Sequence, residues 1–276
     1  MDSNAGDETY RVPEGWRPEQ TQSGQPPEVA GGREVASAER PPPARIMVII
    51  PFHNRKRVAE LCVPTISDTL TSADYLVCCN DGSTEYGREF LEKWADRVCN
   101  TVTPVGIEMQ RRSHFAMYWQ YQHAYTHLYL TDPDAIHDPD WRSHALELQA
   151  KAMGAPVCLY NTAAHERLVG NTIATDTENG IIWRRVAPGI SYLLTLAHVE
   201  KIMPWLSQIR SFDWDIPRIL GHRCIISRVS YVEHIGHGGL HHKDEYGIEG
   251  GDRALSPTPY LAAKRADVIE SLRKRT

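Results

Sequence analysis

The sequence predicts an α/β fold, a single mixed but mostly parallel sheet with helices on both faces, and three features carry that expectation. Short continuous apolar runs at Ile46–Ile50, Tyr75–Cys79, Leu128–Leu130 and Val157–Tyr160 have the length of strands buried on both sides. Helix-length stretches separate them, at Val58–Leu70, Gly87–Trp94, Ser113–Thr126 and from Asp140 to about Met153. Polar residues gather where the apolar runs end, and open sheets of this class bind ligands at the carboxyl ends of their strands.

The other elements follow in order. Arg97–Thr103 reads as a strand, and Glu178-Asn179-Gly180, between Ile173 and Ile181-Ile182-Trp183, reads as a hairpin turn. Pro188-Gly189 precedes a helix expected over Tyr192–Ile202. Asp213–Gly221 is a further helix candidate, and Ile225–Val232 a strand.

Composition narrows the function. The 276 residues are 41% hydrophobic and 24% charged, the balance of a globular domain, with a formal charge of −5. So little charge, and of the wrong sign, argues against a protein that coats nucleic acid. No apolar run reaches 18 residues and the first 45 hold no apolar signal core, so neither a membrane span nor a secretory signal is expected. Six cysteines without CxxC spacing (Cys62, Cys78, Cys79, Cys99, Cys158, Cys224) suit reduced, buried thiols, and the expected location is cytoplasmic. Residues 1–44 hold 12 Pro and Gly, with eight acidic against four basic side chains. Such a stretch buries too little apolar surface to offset its ordering entropy and reads as a disordered tail. A folded domain is expected over residues 45–250, then a C-terminal segment, 251–276, ending in a helix.

Three strand ends concentrate the chemistry. The first ends in Pro51-Phe52-His53-Asn54-Arg55, the second in Asn80-Asp81-Gly82-Ser83-Thr84, and a third in Thr131-Asp132-Pro133-Asp134. Each by itself reads equally as a solvated turn with a helix cap. Delivered in this order to one sheet edge, they would build one site.

That ordered set resembles the nucleotide-sugar-binding half of family 2-like glycosyltransferases of the GT-A fold. Pro188-Gly189-Ile190-Ser191 is similar to the family's turn at the sugar pocket, and Phe212-Asp213-Trp214-Asp215-Ile216 to its late acidic motif. His234-Ile235-Gly236-His237-Gly238-Gly239 resembles the His-containing closing segment of metal-dependent members. The resemblance spans roughly residues 45–245. It implies a GT-A catalytic domain that moves a sugar, with inversion, from a nucleotide-diphosphate donor, UDP-linked by expectation. Pro51, Phe52, His53 and Asn54 would line the nucleoside pocket, Asp81 would meet the base, and Gly189 would border the sugar. Arg111 or Arg112 matches the family's basic residue before the D-x-D strand. Mn2+ or Mg2+ would be held by Asp134 and His234, with Asp132 reaching the ribose, or the metal through water. Hard cations take oxygen ligands, and alternate residues of an extended segment point the same way, so Asp132 and Asp134 would share a face. Asp213 or Asp215 would be the general base, the motif match favouring Asp213, with Asp215 bracing the loop or capping the helix.

Four of the thirteen histidines lie within His234–His242, without cysteine and without HExxH, which argues against a zinc site. His234 reads either as the closing ligand or as a strand-end histidine bonded to backbone. His237, His241 and His242 suit a Gly-rich lid. Two departures from the family stand out: Pro133 inside the D-x-D motif, and Phe212 where glutamate is usual. The competing classes are a non-catalytic nucleotide- or glycan-binding module, a sugar-phosphate nucleotidyltransferase and a metal-dependent hydrolase. The second lacks its Gly-rich phosphate loop, and the third its paired ligand spacing. The acceptor is open among a glycan, a small natural product, a protein side chain and modified DNA, the last disfavoured by the acidic charge.

Overall fold

The computed structural model describes residues 43–236 and 253–274. All of the expected tail but Pro43 and Ala44, and the expected lid with His237, His241 and His242, lie outside the described residues.

β1 (Ile46–Phe52) is buried at every position, as its unbroken apolar run predicts. Asn54 and Arg55 then take left-handed backbone angles (φ 52° and 62°) and turn the chain into α1 (Lys56–Cys62). The helix expected over 58–70 is two short ones, because Pro64 has no N–H to continue α1 and opens α2 (Pro64–Ser67) instead. β2 (Tyr75–Asp81), α3 (Arg88–Glu92) and β3 (Arg97–Thr101) follow close to expectation. α4 (Ile107–Gln120) starts well before the expected Ser113. Its start is set by Asp81, whose carboxylate accepts the Val105 and Gly106 N–H groups at 2.7 and 2.8 Å. Negative charge at a helix start is favourable, and apolar spacing does not reveal it.

β4 (His127–Leu130) leads through a turn at Pro133-Asp134 to β5 (Ala135–His137), followed by α5 (Trp141–Lys151) and β6 (Val157–Cys158). After α6 (Ala163–Glu166), β7 (Thr172–Asp176) and β8 (Ile181–Arg184) form the expected hairpin, with Gly180 at φ 69°.

The main correction falls at 192–202. Tyr192–Thr195 is a strand, β9, and α7 covers only Leu196–Ile202. Tyr192, Leu193 and Leu194 are fully buried where β9 pairs with β4 on one side and β6 on the other. A short apolar run fits strand and helix equally by periodicity, and the open place in the sheet decides. Thr195 then caps α7, its side chain accepting the His198 N–H while the His198 ring accepts the Thr195 N–H.

A 3-10 turn (Met203–Gln208), α8 (Phe212–Ile219), β10 (Cys224–Ser227), β11 (Val232–His234) and α9 (Pro259–Arg273) complete the order. The strand expected over 225–232 is thus two strands in different sheets. The large sheet has the order β3-β2-β1-β4-β9-β6-β10-β8-β7, and only β9 and β8 run against the other strands. The single sheet of the sequence reading is corrected in one respect: β5 and β11 form a separate antiparallel ribbon. The turn at Asp134 carries the chain off the sheet edge, and β11 returns to pair with it. α9 closes a small second core over the ribbon, where Leu261, Val268 and Leu272 meet Val58, Cys62, Ile136 and Ile235.

Pro43–Thr276 form one compact unit. All six cysteines are free thiols, five of them buried. No helix among the described residues is long and apolar enough to cross a membrane.

One buried carboxylate secures the start of the sheet. Asp74 accepts the Ile46 N–H at 3.0 Å, the Thr71 N–H at 3.0 Å and two bonds from Arg142 at 2.8 and 3.0 Å. Burial alone would raise its carboxyl, but the Arg142, Thr71 and Ile46 bonds outweigh it and hold it below the usual range. A carboxyl depressed in the folded state stabilises the protein above its unfolded pKa, about 3.9. That stability is lost as pH falls through the lower folded value. Asp74→Ala is expected to cost roughly 1–3 kcal/mol at neutral pH. Urea melts should show the deficit shrinking as pH falls below about 4; a constant deficit would contradict the assignment.

Candidate active site

The site lies beyond the carboxyl ends of β1, β2 and β4, three neighbouring parallel strands. The β1 end is bound to the β2 end. His53 donates through Nδ1 to the Asp81 carbonyl at 2.8 Å, and the Asn54 N–H donates to Ser83 Oγ at 2.9 Å. Asn54 Oδ1 accepts from the Thr84 and Glu85 N–H groups at 2.7 and 3.2 Å. Pro51 and Phe52 are buried β1 residues. The Asp81 carboxylate is engaged in anchoring α4. Burial pushes its carboxyl up, but the bonds from Val105, Gln110, Gly106 and Thr101 prevail and hold it below the ordinary value.

The left-handed pair Asn54-Arg55 aims Arg55 across the sheet edge. Non-glycine residues in this region cost about 1–3 kcal/mol each and collect at functional sites. Arg55 Nη1 lies 2.9 Å from Asp134 Oδ2, and His234 Nε2 lies 2.8 Å from the same oxygen. The ribbon explains the second contact, since its register sets His234 opposite Ala135 and the Ile235 N–H donates to the Asp134 carbonyl at 3.0 Å. Burial alone would raise the Asp134 carboxyl, but His234 and Arg55 hold it well below the usual range. Burial works against charge on His234 as well, yet Asp134 keeps the imidazole more basic than usual.

Asp132 belongs to a second cluster. Its Oδ1 accepts from Arg111 Nη2 at 2.7 Å, and Arg111 also donates through Nη1 to the Gly189 carbonyl while stacking over Phe212 at 5.3 Å. Burial works against the Arg111 charge, but Asp132, Asp213 and Glu108 raise its basicity. Arg112 turns away to donate to the Ile209 carbonyl. Of the two arginines, Arg111 is therefore the one brought into the site. Pro133-Asp134 is a turn and not an extended segment; Asp132 and Asp134 are engaged by different arginines, and both act on His234.

The late acidic motif closes the cluster. Gly189 donates its N–H to Asp213 Oδ1 at 2.6 Å. Pro217 inside α8 has no N–H for the Asp213 carbonyl one turn earlier, and that carbonyl accepts the Ala187 N–H at 3.2 Å instead. One proline thereby ties the 187–189 turn to the motif. Asp213 Oδ2 lies 3.3 Å from His165 Nε2, and its side chain remains 38% exposed. Asp215 is occupied otherwise, accepting the Arg210 and Ser211 N–H groups at 2.7 and 3.1 Å and Arg218 at 3.0 Å. Burial would raise its carboxyl, but these bonds lower it.

Three members of the site escaped the sequence reading. Arg55 ends a motif whose other residues were assigned, His165 stands outside every motif, and Glu108 sits in the first turn of α4. Burial pushes the Glu108 carboxyl up against the pull of Arg111. For His165 the only signal was a threonine three residues before it, a helix-cap spacing without chemical meaning of its own.

A divalent ion implied by the resemblance does not fit this donor set as arranged. Asp134 Oδ2 is already engaged by two cations, and an imidazole that donates its Nε2 proton has no lone pair there for a metal. Among the described residues no group of three or more His, Cys, Asp or Glu side chains is placed to hold a metal ion.

No family model and no curated protein matches the sequence. Solved structures do match. A structure of S. aureus TarS has 13% sequence identity and a TM-score of 0.50, covering 68% of this chain and 36% of that one. Two structures of S. aureus TarS 1-349, the second in complex with UDP, each have 12% identity and cover 68% of this chain and 59% of theirs. Their TM-scores are 0.46 and 0.47. The chain therefore spans well under two thirds of the TarS chains. At such identities the likeness is one of fold alone: this chain shares with TarS a mixed α/β architecture built on a large, mostly parallel sheet.

Proposed function

We propose that the protein is a glycosyltransferase that moves a sugar, with inversion, from a nucleotide-diphosphate donor to an acceptor hydroxyl. One observation carries this reading: six segments distant in sequence are tied into one polar network at the carboxyl edge of a parallel sheet. They are the β1 end, the β2 end, Arg111, the Asp132–Asp134 turn, Gly189 and Asp213. The motifs resembling those of family 2-like enzymes are the ones that meet there.

The chemistry follows from charge. Around the Asp132–Asp134 turn, Arg55, Arg111 and the imidazolium of His234 bring three cations to one strand edge, donors of the kind that suit a diphosphate. Arg55 is the more open of the two arginines, with 22% of its side chain exposed against 6% for Arg111. It is the group that meets the diphosphate, while Arg111 holds Asp132 and Gly189 in place. In the transfer itself, Asp213 takes the proton of the acceptor hydroxyl. The oxygen then forms a bond to the anomeric carbon, and the bond to the diphosphate breaks, its electron pair leaving with the nucleotide. Neutralisation of the leaving group by fixed cations needs no step through a metal in this account.

Slow donor hydrolysis tests the activity without knowledge of the acceptor. UDP-glucose, UDP-galactose, UDP-N-acetylglucosamine, GDP-mannose and dTDP-glucose form the panel, and at least one is expected to be hydrolysed with release of nucleoside diphosphate. Binding without hydrolysis of any donor would favour the nucleotide-binding module instead. Calorimetry with UDP tests the charge assignment. Arg55→Gln is expected to weaken binding about 10–100-fold, the worth of a charge-assisted hydrogen bond. Chelation with EDTA is expected to leave binding within about threefold, a difference under 1 kcal/mol. Loss of binding in EDTA, restored by Mn2+, would show that an ion displaces Arg55 and the His234 proton from Asp134.

A further inference from the structure

We propose that His165 is a positioning residue for Asp213, presented in the required tautomer by the Thr162 hydroxyl. The inference rests on the reading of Asp213 as the base and adds to it a residue from a different part of the chain. Thr162 is fully buried, and its side chain caps α6 by accepting the His165 backbone N–H at 3.2 Å. The same Oγ1 lies 3.0 Å from His165 Nδ1. A hydroxyl has one proton to give. The Asp213 carboxylate beside Nε2 can only accept, so the ring proton of neutral imidazole sits on Nε2 and the Thr162 hydroxyl gives its proton to Nδ1. Nε2 is the atom 3.3 Å from Asp213 Oδ2. In the imidazolium the hydroxyl turns to accept from Nδ1 as well, and Nε2 keeps its proton toward Asp213. Both charge states of the ring therefore present the same proton to the carboxylate.

The consequence lies in the geometry of the base. Gly189 N–H holds Oδ1 at 2.6 Å and the His165 ring stands 3.3 Å from Oδ2, so each oxygen has a fixed neighbour while the side chain keeps its exposed face for the acceptor. An exposed aspartate without these neighbours would populate several rotamers, and a small misplacement of a reacting group costs rate steeply. Glu108 and Arg111 of α4, Cys158 of β6 and Tyr192 of β9 share the electrostatic environment of Asp213. Closest to the carboxylate stand the Gly189 N–H, which donates to Oδ1, and the His165 ring, 3.3 Å from Oδ2.

The first test needs no activity. Nitrogen-15 NMR of the histidine rings in the full-length chain is expected to show His165 as the Nε2–H tautomer near neutral pH, and an Nδ1–H tautomer would overturn the proposal. The second uses the nucleotide sugar that the panel shows to be hydrolysed fastest. His165→Phe is expected to lower kcat at least about tenfold, the worth of a hydrogen bond to a charged group. UDP affinity should be retained, so that the loss falls on kcat and not on donor binding. His165→Gln, whose amide reaches the Nε2 position, should recover most of the rate, and Thr162→Val should fall between them. In an Asp213→Asn background, His165→Phe should add less than about twofold, because the coupled partner is already gone. Unchanged kcat in His165→Phe, with Asp213→Asn slow, would remove the positioning role and leave the base standing. Full activity of Asp213→Asn would remove the base reading itself.

Discussion

Asp213→Asn is expected to lower kcat for transfer, or for donor hydrolysis, by about 10²–10⁴-fold, the usual worth of general-base assistance. UDP affinity should stay nearly unchanged, because the diphosphate cluster at Arg55, Asp132 and Asp134 is built from other segments. The substitution keeps an oxygen for the Gly189 N–H and removes the negative charge, so the loss reads the proton transfer rather than the fold. Asp215→Asn should behave differently. Its carboxylate closes the loop before α8 through the Arg210 and Ser211 N–H groups, so the expected loss is about 0.5–2 kcal/mol of stability with most of kcat retained. A severe rate loss for Asp215→Asn, with Asp213→Asn nearly silent, would exchange the two roles. A product that retains the anomeric configuration of the donor would end the single-base mechanism.

Gly189→Ala is expected to be nearly as damaging, by a steric route. A Cβ on Gly189 would lie 2.5 Å from Asp213 Oδ1, 2.7 Å from Arg111 Nη1 and 3.4 Å from the Phe212 Cβ. Neither polar atom is free to retreat. Arg111 is held by Asp132 and by its stack over Phe212, and Asp213 by His165 and by Gly189 itself. Overpacking of this kind costs about 1–3 kcal/mol, and a displacement of the base near 1 Å costs on the order of 10²-fold in rate. The expected variant is folded, with a lowered melting temperature and kcat reduced about 100-fold or more. Wild-type kcat in Gly189→Ala would show that the turn does not position the base.

The strands were legible where composition alone decides. Ile46–Ile50 and Tyr75–Cys79 are apolar throughout because both faces of a central strand are buried, and each lies within an observed strand. Legibility failed where a partner decides. Tyr192-Leu193-Leu194 would serve a buried helix as well as a strand, and only the place between β4 and β6 makes it β9. Pro64 splits a helix that apolar spacing alone runs together, and Asp81, from a strand end, sets where α4 begins.

The candidate site divides along the same line. Local sequence determined which residue types stand at the strand ends, since turns and helix starts favour Asp, Asn, Gly and Pro, and the order of those motifs was enough to suggest a nucleotide-sugar site. Tertiary structure decided which of them meet: Arg111 rather than Arg112 reaches Asp132, and Asp213 rather than Asp215 accepts from Gly189. It also brought in Arg55, which lies 79 residues from Asp134, and His165, which a buried threonine hydroxyl orients. The physical reason is that an ion pair or a hydrogen bond is fixed by distance and direction between atoms. Those depend on how the sheet orders its strands, and no window of the sequence contains both partners.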